Sequence, residues 1–270
     1  MRTLPPLPPW LARLGAALLL TLLLAPAARA GSACTARAPD AAAFGKAMTL
    51  AERTVAALDQ SGAEVVLIAR AGADLSKYHL RYSHMGYAWR DHPHGRWLVV
   101  HELNQCATAA SALFEQGLGT FFLDDMHAYD TRIVVPSPAM QARLAAMLAS
   151  ATPRTLHERS YNMLSYAFST RYQNSNQWLL ETWAVAAADA SPGTRAQAQA
   201  WLRHAGYQPI TVEIDAMTRL GARVARANVS FDDHPFERRM AGHIDTVTVD
   251  SVLRFVQAHD AGARVIDLSL

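Results

Sequence analysis

"LRYSHMGYAWRDHPHGRWLVVHEL", residues 80–103, is the stretch on which the fold turns. Its first part, Leu80 to Trp89, alternates and is rich in aromatic residues. Its last part, Arg96 to Leu103, is apolar and β-prone, and both compositions suit a pleated, half-buried surface. Between them "RDHPHG" (Arg90 to Gly95) supplies Asp, Pro and Gly, the residues that reverse a chain. An antiparallel hairpin is predicted, and it needs neighbours. "AEVVLIAR" (Ala63 to Arg70) and "TRIVVP" (Thr131 to Pro136) read as further strands, and "RVIDLSL" at the end of the chain reads as another.

Around these strands the apolar spacing is helical. Helices are predicted over 41–58, ending near Gly62, and over 108–116, closed by Gly117 and Gly119. Another begins at Ser137-Pro138, since Pro is favoured in a first turn, and runs to about Ser150. Three more cover 175–189, the Ala-rich stretch from Ser191-Pro192-Gly193 to His204, and 215–227. "HIDTVTVDSVLRFVQAH" (His243 to His259) passes from period two to a helical period near Asp250. The fold class is therefore α+β, a small antiparallel sheet packed with helices.

Residues 1–30 contain Arg2, Arg13 and Arg29, no acid, an apolar run from Leu14 to Leu24, and the small-residue sequence Ala28-Arg29-Ala30. This is the pattern of a secretory signal peptide cleaved after Ala30, and the apolar run is too short to span a bilayer. The expected location is periplasmic or secreted. Removing three arginines takes the formal charge from +2 to −1, so the basic balance belongs to the export segment. Nothing then points to nucleic acid. Residues 31–270 are expected to form a single domain, with a core over about 62–190 and a helical C-terminal extension over about 191–270. The two cysteines, Cys34 and Cys106, fit a disulfide in an oxidising compartment.

Chemistry enters with three segments. His84 lies in "YSHMGY" and His101 in "VVHEL", on adjacent predicted strands, so both imidazoles can face one way. "YQNSNQW" (Tyr172 to Trp178) opens a helix, and its polar run exceeds what capping one helix requires. A serine there, Ser175, gains from the positive end of the helix dipole, and with a base and an orienting group it would meet the general requirement for covalent acyl transfer.

In that order, "SHMGYAW", "VVHELN" and "YQNSNQW" resemble the circularly permuted branch of the papain-like NlpC superfamily, which includes the lecithin retinol acyltransferase type. More closely, the chain is similar to the bacterial domain of unknown function 2145 family, through "YQNSNQW", "RLGARVARANVSFDDHP" and "TVTVDSVLRF". The resemblance implies a permuted papain-like core, with His84 as general base, His101 as orienting group, and Ser175 where the superfamily has its nucleophilic Cys. Glu102 is the alternative to His101, because strand register decides which of the two faces inward. Asn174, Asn176, Gln177, Glu102 and Trp178 would line the cleft.

Ser in place of Cys changes the chemistry. A thiol is ionised by a helix dipole and a neighbouring imidazolium, whereas a serine hydroxyl needs a base to remove its proton during attack. Two functions follow: a binding protein for a peptide, cell-wall or lipid ligand, or a serine-dependent amide or ester hydrolase or acyltransferase; a third reading leaves Ser175 as a helix cap only. No cofactor and no metal is expected. "DHPH" (Asp91 to His94) offers metal-ligand types but is explained as a turn; "DDMHAYD" (Asp124 to Asp130) and "FDDHP" (Phe231 to Pro235) read singly as solvated or capping loops, with a hard-cation site formed by the two together as the alternative. Trp89, Trp97, Trp178 and Trp183 are expected to pack core or to line the cleft.

Overall fold

The computed structural model describes residues 39–106, 108–124 and 126–270. The export segment, its cleavage sequence and Cys34 lie outside the described residues, and with Cys34 goes the pairing to Cys106.

Helix α1 (Ala41–Ser61) starts at Asp40, whose carboxylate accepts the Ala43 N–H at 2.8 Å. It stops at Gly62, which takes the left-handed conformation (φ 69°) that ends helices readily at glycine. Then come β1 (Val65–Ala71), β2 (His84–His92) and β3 (Gly95–Asn104). The hairpin forms as the sequence predicts, with Tyr87 opposite Val100 and Trp89 opposite Leu98. Gly86 is required there. A Cβ at that position would lie 2.7 Å from Val99 Cγ1 and 2.9 Å from His101 Cβ.

The next segment corrects the reading of a helix over 108–116. It is strand β4 (Ser111–Gly117), paired with β3 along its whole length. Without it the outer edge of β3 would leave its backbone groups unpaired, and that demand overrides a weak local helical pattern. Helix α2 (Leu118–Leu123) begins only after Gly117. Strand β5 (Ala128–Val135) and helix α3 (Pro138–Leu148) follow, the latter capped by Ser137, and a short turn of helix, α4, covers Thr152–Thr155.

Helix α5 (Ser175–Ala187) is buried on every side from Ser175 to Ala186, so it is the core of the molecule and not a surface element. Beyond it are α6 (Arg195–His204), β6 (Ile210–Glu213), α7 (Ala216–Ala225), α8 (Phe236–Met240), β7 (His243–Thr246), α9 (Val249–His259) and β8 (Arg264–Ser269).

The main sheet is antiparallel with the order β4-β3-β2-β1-β5-β8. Alternation sends Val66, Ile68, Ala88, Val99 and Ile133 to one face, beneath α1 and α2. It sends Val65, Leu67, Met85, Tyr87, Val100 and Val134 to the other, against α5 with α3, α6 and α9 around it. The C-terminal residues do not stand apart as a helical extension. Strand β8 completes the sheet beside β5, and Phe255 of α9 packs at 5.5 Å on Trp183 of α5. Strands β6 and β7 form a second small sheet with its own apolar cluster, Val212, Ile214, Val229, Phe231 and Ile244.

Candidate functional site

The two histidines meet. His84 Nε2 and His101 Nδ1 are 2.8 Å apart, and His101 Nε2 lies 3.1 Å from Gln116 Oε1. Because the amide oxygen only accepts, His101 carries its proton on Nε2, and its Nδ1 then accepts from His84 Nε2–H. Both rings are buried on the α1 and α2 side, against Phe121. Arg70, also buried, bonds the Phe121 carbonyl and the Asp124 carboxylate beside them. Burial, then the Arg70 charge, holds both imidazoles neutral: His84 falls well below its usual value and His101 to about 3. Such weak bases, with His84 Nε2 and both His101 nitrogens already engaged, are poorly matched to proton abstraction near neutral pH.

Ser175 does not join them. Gly86 and His101 share one face, whereas the Tyr87 hydroxyl on the opposite face donates to Leu179 O of α5 at 2.8 Å. Among the described residues no hydrogen bond links Ser175 to His84 or His101. The expected meeting of hydroxyl and imidazoles is therefore corrected: the sheet separates them. What alternation does send toward α5 is Glu102, the neighbour of His101 along β3. Its carboxyl is fully buried, and neither oxygen meets a hydrogen-bond partner among the described residues. Burial raises it to about 8, with the adjacent Ser111 hydroxyl opposing the rise. That hydroxyl is shared between His157 Nε2 at 3.0 Å and the Glu158 carbonyl at 3.3 Å.

The Ser175 hydroxyl sits against the phenol of Tyr161, which burial and then the Glu102 charge push up to about 12. Tyr161 is placed by a strand-like bridge to Gln173, flanked by Asn162 N–H to Gln173 O and Gln173 N–H to Ser160 O, each 3.0 Å. The cluster at the amino end of α5 is therefore Glu102, Tyr161 and Ser175. Tyr161 carries no motif and was missed from the sequence.

The polar run itself holds structure together. Asn174 caps α5 by accepting the Gln177 N–H at 2.8 Å, and its amide donates to Thr246 Oγ1 at 3.2 Å and Val247 O at 3.3 Å. Gln177 donates to the carbonyls of Tyr166 and Ala167, each at 3.3 Å, and accepts from Ser165 Oγ at 2.7 Å. Gln173 donates to Leu156 O and to Glu181, which lies buried in an ion pair with Arg195 at 2.7 Å. These amides satisfy the backbone of a long irregular segment crossing the core, as buried polar groups require. Trp178 is fully buried and donates to Pro153 O at 3.0 Å, so it lines no cleft. Within the run from Gln173 to Gln177, Asn176 alone keeps a buried side-chain oxygen without a partner among the described residues.

The described acids of the two loops are taken up separately. Asp124 pairs with Arg70, Asp130 with Arg81, Asp232 with Arg171, and Asp233 with His234. An open cleft of about 610 Å³ lies near the far end of α5, bordered by Arg143, Met147, Val185, Asp189, Ser191 and Gly193. At 1.5 Å per residue it is roughly 15 Å along the helix from Ser175.

No curated protein and no solved structure matches the chain. A family model does, over residues 57–256, which takes in strands β1 to β5 of the main sheet, the His84–His101 pair and α5, and stops short of β8. With that share of its length matched, the chain belongs to the DUF2145 family, described as uncharacterized proteins conserved in bacteria.

Proposed function

We propose that this chain is an exported, non-catalytic binding protein whose core descends from permuted papain-like hydrolases. The order of elements supports the descent: a hairpin with His-x-Gly and a second histidine, then Asn-Ser opening a buried helix. One observation carries the loss of catalysis. The hydroxyl at the nucleophile position belongs to the helix on the other face of the sheet from both imidazoles, so neither ring is placed to remove its proton. Recognition falls to the 610 Å³ cleft, where Arg143 and Asp189 flank the apolar Met147 and Val185. Opposite charges around an apolar floor suit a short peptide or cell-wall peptide with charged ends. Export through residues 1–30 and pairing of Cys34 with Cys106 belong to the same reading, and N-terminal sequencing of secreted protein should begin at Gly31.

The test is labelling with a serine-reactive fluorophosphonate. Wild type should stay unlabelled, and Ser175→Cys should react with a thiol probe no faster than a free cysteine, because no imidazolium lowers its pKa. Labelling at Ser175 that disappears in His84→Ala would overturn the proposal. The hydrolase reading keeps one observation, the orphaned Glu102 beside the Tyr161–Ser175 pair. It requires labelling that Glu102→Gln abolishes and His84→Ala spares.

A further inference from the structure

We infer that His92, His94 and Glu115 form a binding site for a divalent first-row transition-metal ion of the zinc class, at the tip of the β2–β3 hairpin. One nitrogen of each imidazole and one carboxylate oxygen lie mutually within 4.8 Å. Glu115 Oε2 already gathers the two rings, 2.8 Å from His94 Nδ1 and 3.5 Å from His92 Nε2. Tetrahedral coordination with bonds near 2.0–2.1 Å places ligand atoms about 3.3 Å apart, so small side-chain rotations admit the ion.

The site is part fixed and part free. His92 is buried at the end of β2 and packs edge-on against Trp89 at 5.0 Å, which sets its ring. His94 in the turn and Glu115 on the edge strand β4 are exposed and can adjust. Two nitrogens and one oxygen suit zinc or copper, whereas magnesium and calcium prefer oxygen ligands throughout. Three protein ligands at an exposed turn leave the fourth position to water. The nearby Arg90 is held by Asp91 at 3.0 Å.

Both rings change tautomer. The His94 backbone N–H donates to His92 Nδ1 at 3.1 Å, which keeps the His92 proton on Nε2. Coordination through Nε2 moves that proton to Nδ1 and turns the backbone N–H toward water. The His94 proton facing Glu115 moves likewise to Nε2. Two hydrogen bonds, the backbone one and the one between His94 Nδ1 and Glu115, are exchanged for three metal–ligand bonds.

The experiment uses tag-free exported protein stripped with a chelator. It is titrated with Zn²⁺ against a chromophoric competitor, and with Co²⁺ to read the visible ligand-field bands. One equivalent should bind, and His94→Ala and Glu115→Ala should each weaken binding at least about tenfold, since loss of a direct ligand exceeds the usual cost of an outer-shell change. His243→Ala, remote in sequence on β7, should leave it unchanged. No stoichiometric binding at micromolar metal, or equal affinity in wild type and both ligand variants, would overturn the inference.

Discussion

Glu102→Gln gives the sharpest test of the buried cluster. In the folded protein the Glu102 carboxyl titrates at about 8, against 4.5 for an ordinary glutamate. Between those values the folded state binds a proton that the unfolded state has released, so stability falls as pH rises through the window. The slope is about 1.4 kcal/mol per pH unit for one group, or about 3 kcal/mol between pH 5.5 and 7.5. Glutamine has the same shape and does not titrate. Its absolute stability depends on whether the buried amide finds partners, but the difference between the two proteins should not be constant. Relative to wild type, the variant should gain about 3 kcal/mol on going from pH 5.5 to 7.5. Urea unfolding followed by tryptophan fluorescence at three pH values reads this directly. Parallel profiles would refute the reasoning, because they would mean that Glu102 is ionised in the fold and has a partner.

The histidine pair predicts the opposite sign. His101 titrates at about 3 in the fold against 6.5 unfolded, so stability is full above the unfolded value and falls as pH drops below it. His101→Gln should flatten that acid limb by about 1.4 kcal/mol per pH unit between pH 4 and 6 in urea titrations, and an unchanged limb would show the ring charged in the fold. The two tryptophans of α5 should differ under the same substitution. Trp178 Nε1 has its bond to Pro153 O, whereas Trp183 Nε1 is buried without a partner among the described residues. Trp178→Phe should therefore cost more than Trp183→Phe by about 1 kcal/mol in matched unfolding curves, and equal losses would show the bond to be worthless.

Much of the fold is legible in the residues because its signals are local. Alternation in 80–103 with an Asp-Pro-Gly turn specifies the hairpin, and Ser137-Pro138 and Gly62 mark helix ends through their own backbone preferences. Where the deciding partner is distant, the reading fails. Residues 108–116 carry a helical pattern and become a strand because β3 offers an open edge, and Glu115 was thereby hidden as a possible companion of His92 and His94. Likewise β8 reads as a strand but gives no sign that it joins β5 across more than a hundred residues of chain.

The sequence by itself determined the hairpin that allows His84 and His101 to meet, since two strands joined by a tight turn pair along their length, and the register that put His101 rather than Glu102 beside His84 came with the structure. It also determined that Asn174 begins a helix, because a side-chain oxygen three residues before a backbone N–H caps it wherever the chain goes. Which face of the sheet that helix covers was decided only by tertiary packing. The bulky apolar residues Met85, Tyr87 and Val100 point toward α5 and carry Glu102 with them, while the imidazoles turn toward Arg70 and Phe121 on the other side. A strand has two faces and a period of two, so nothing local fixes which one a distant helix will choose.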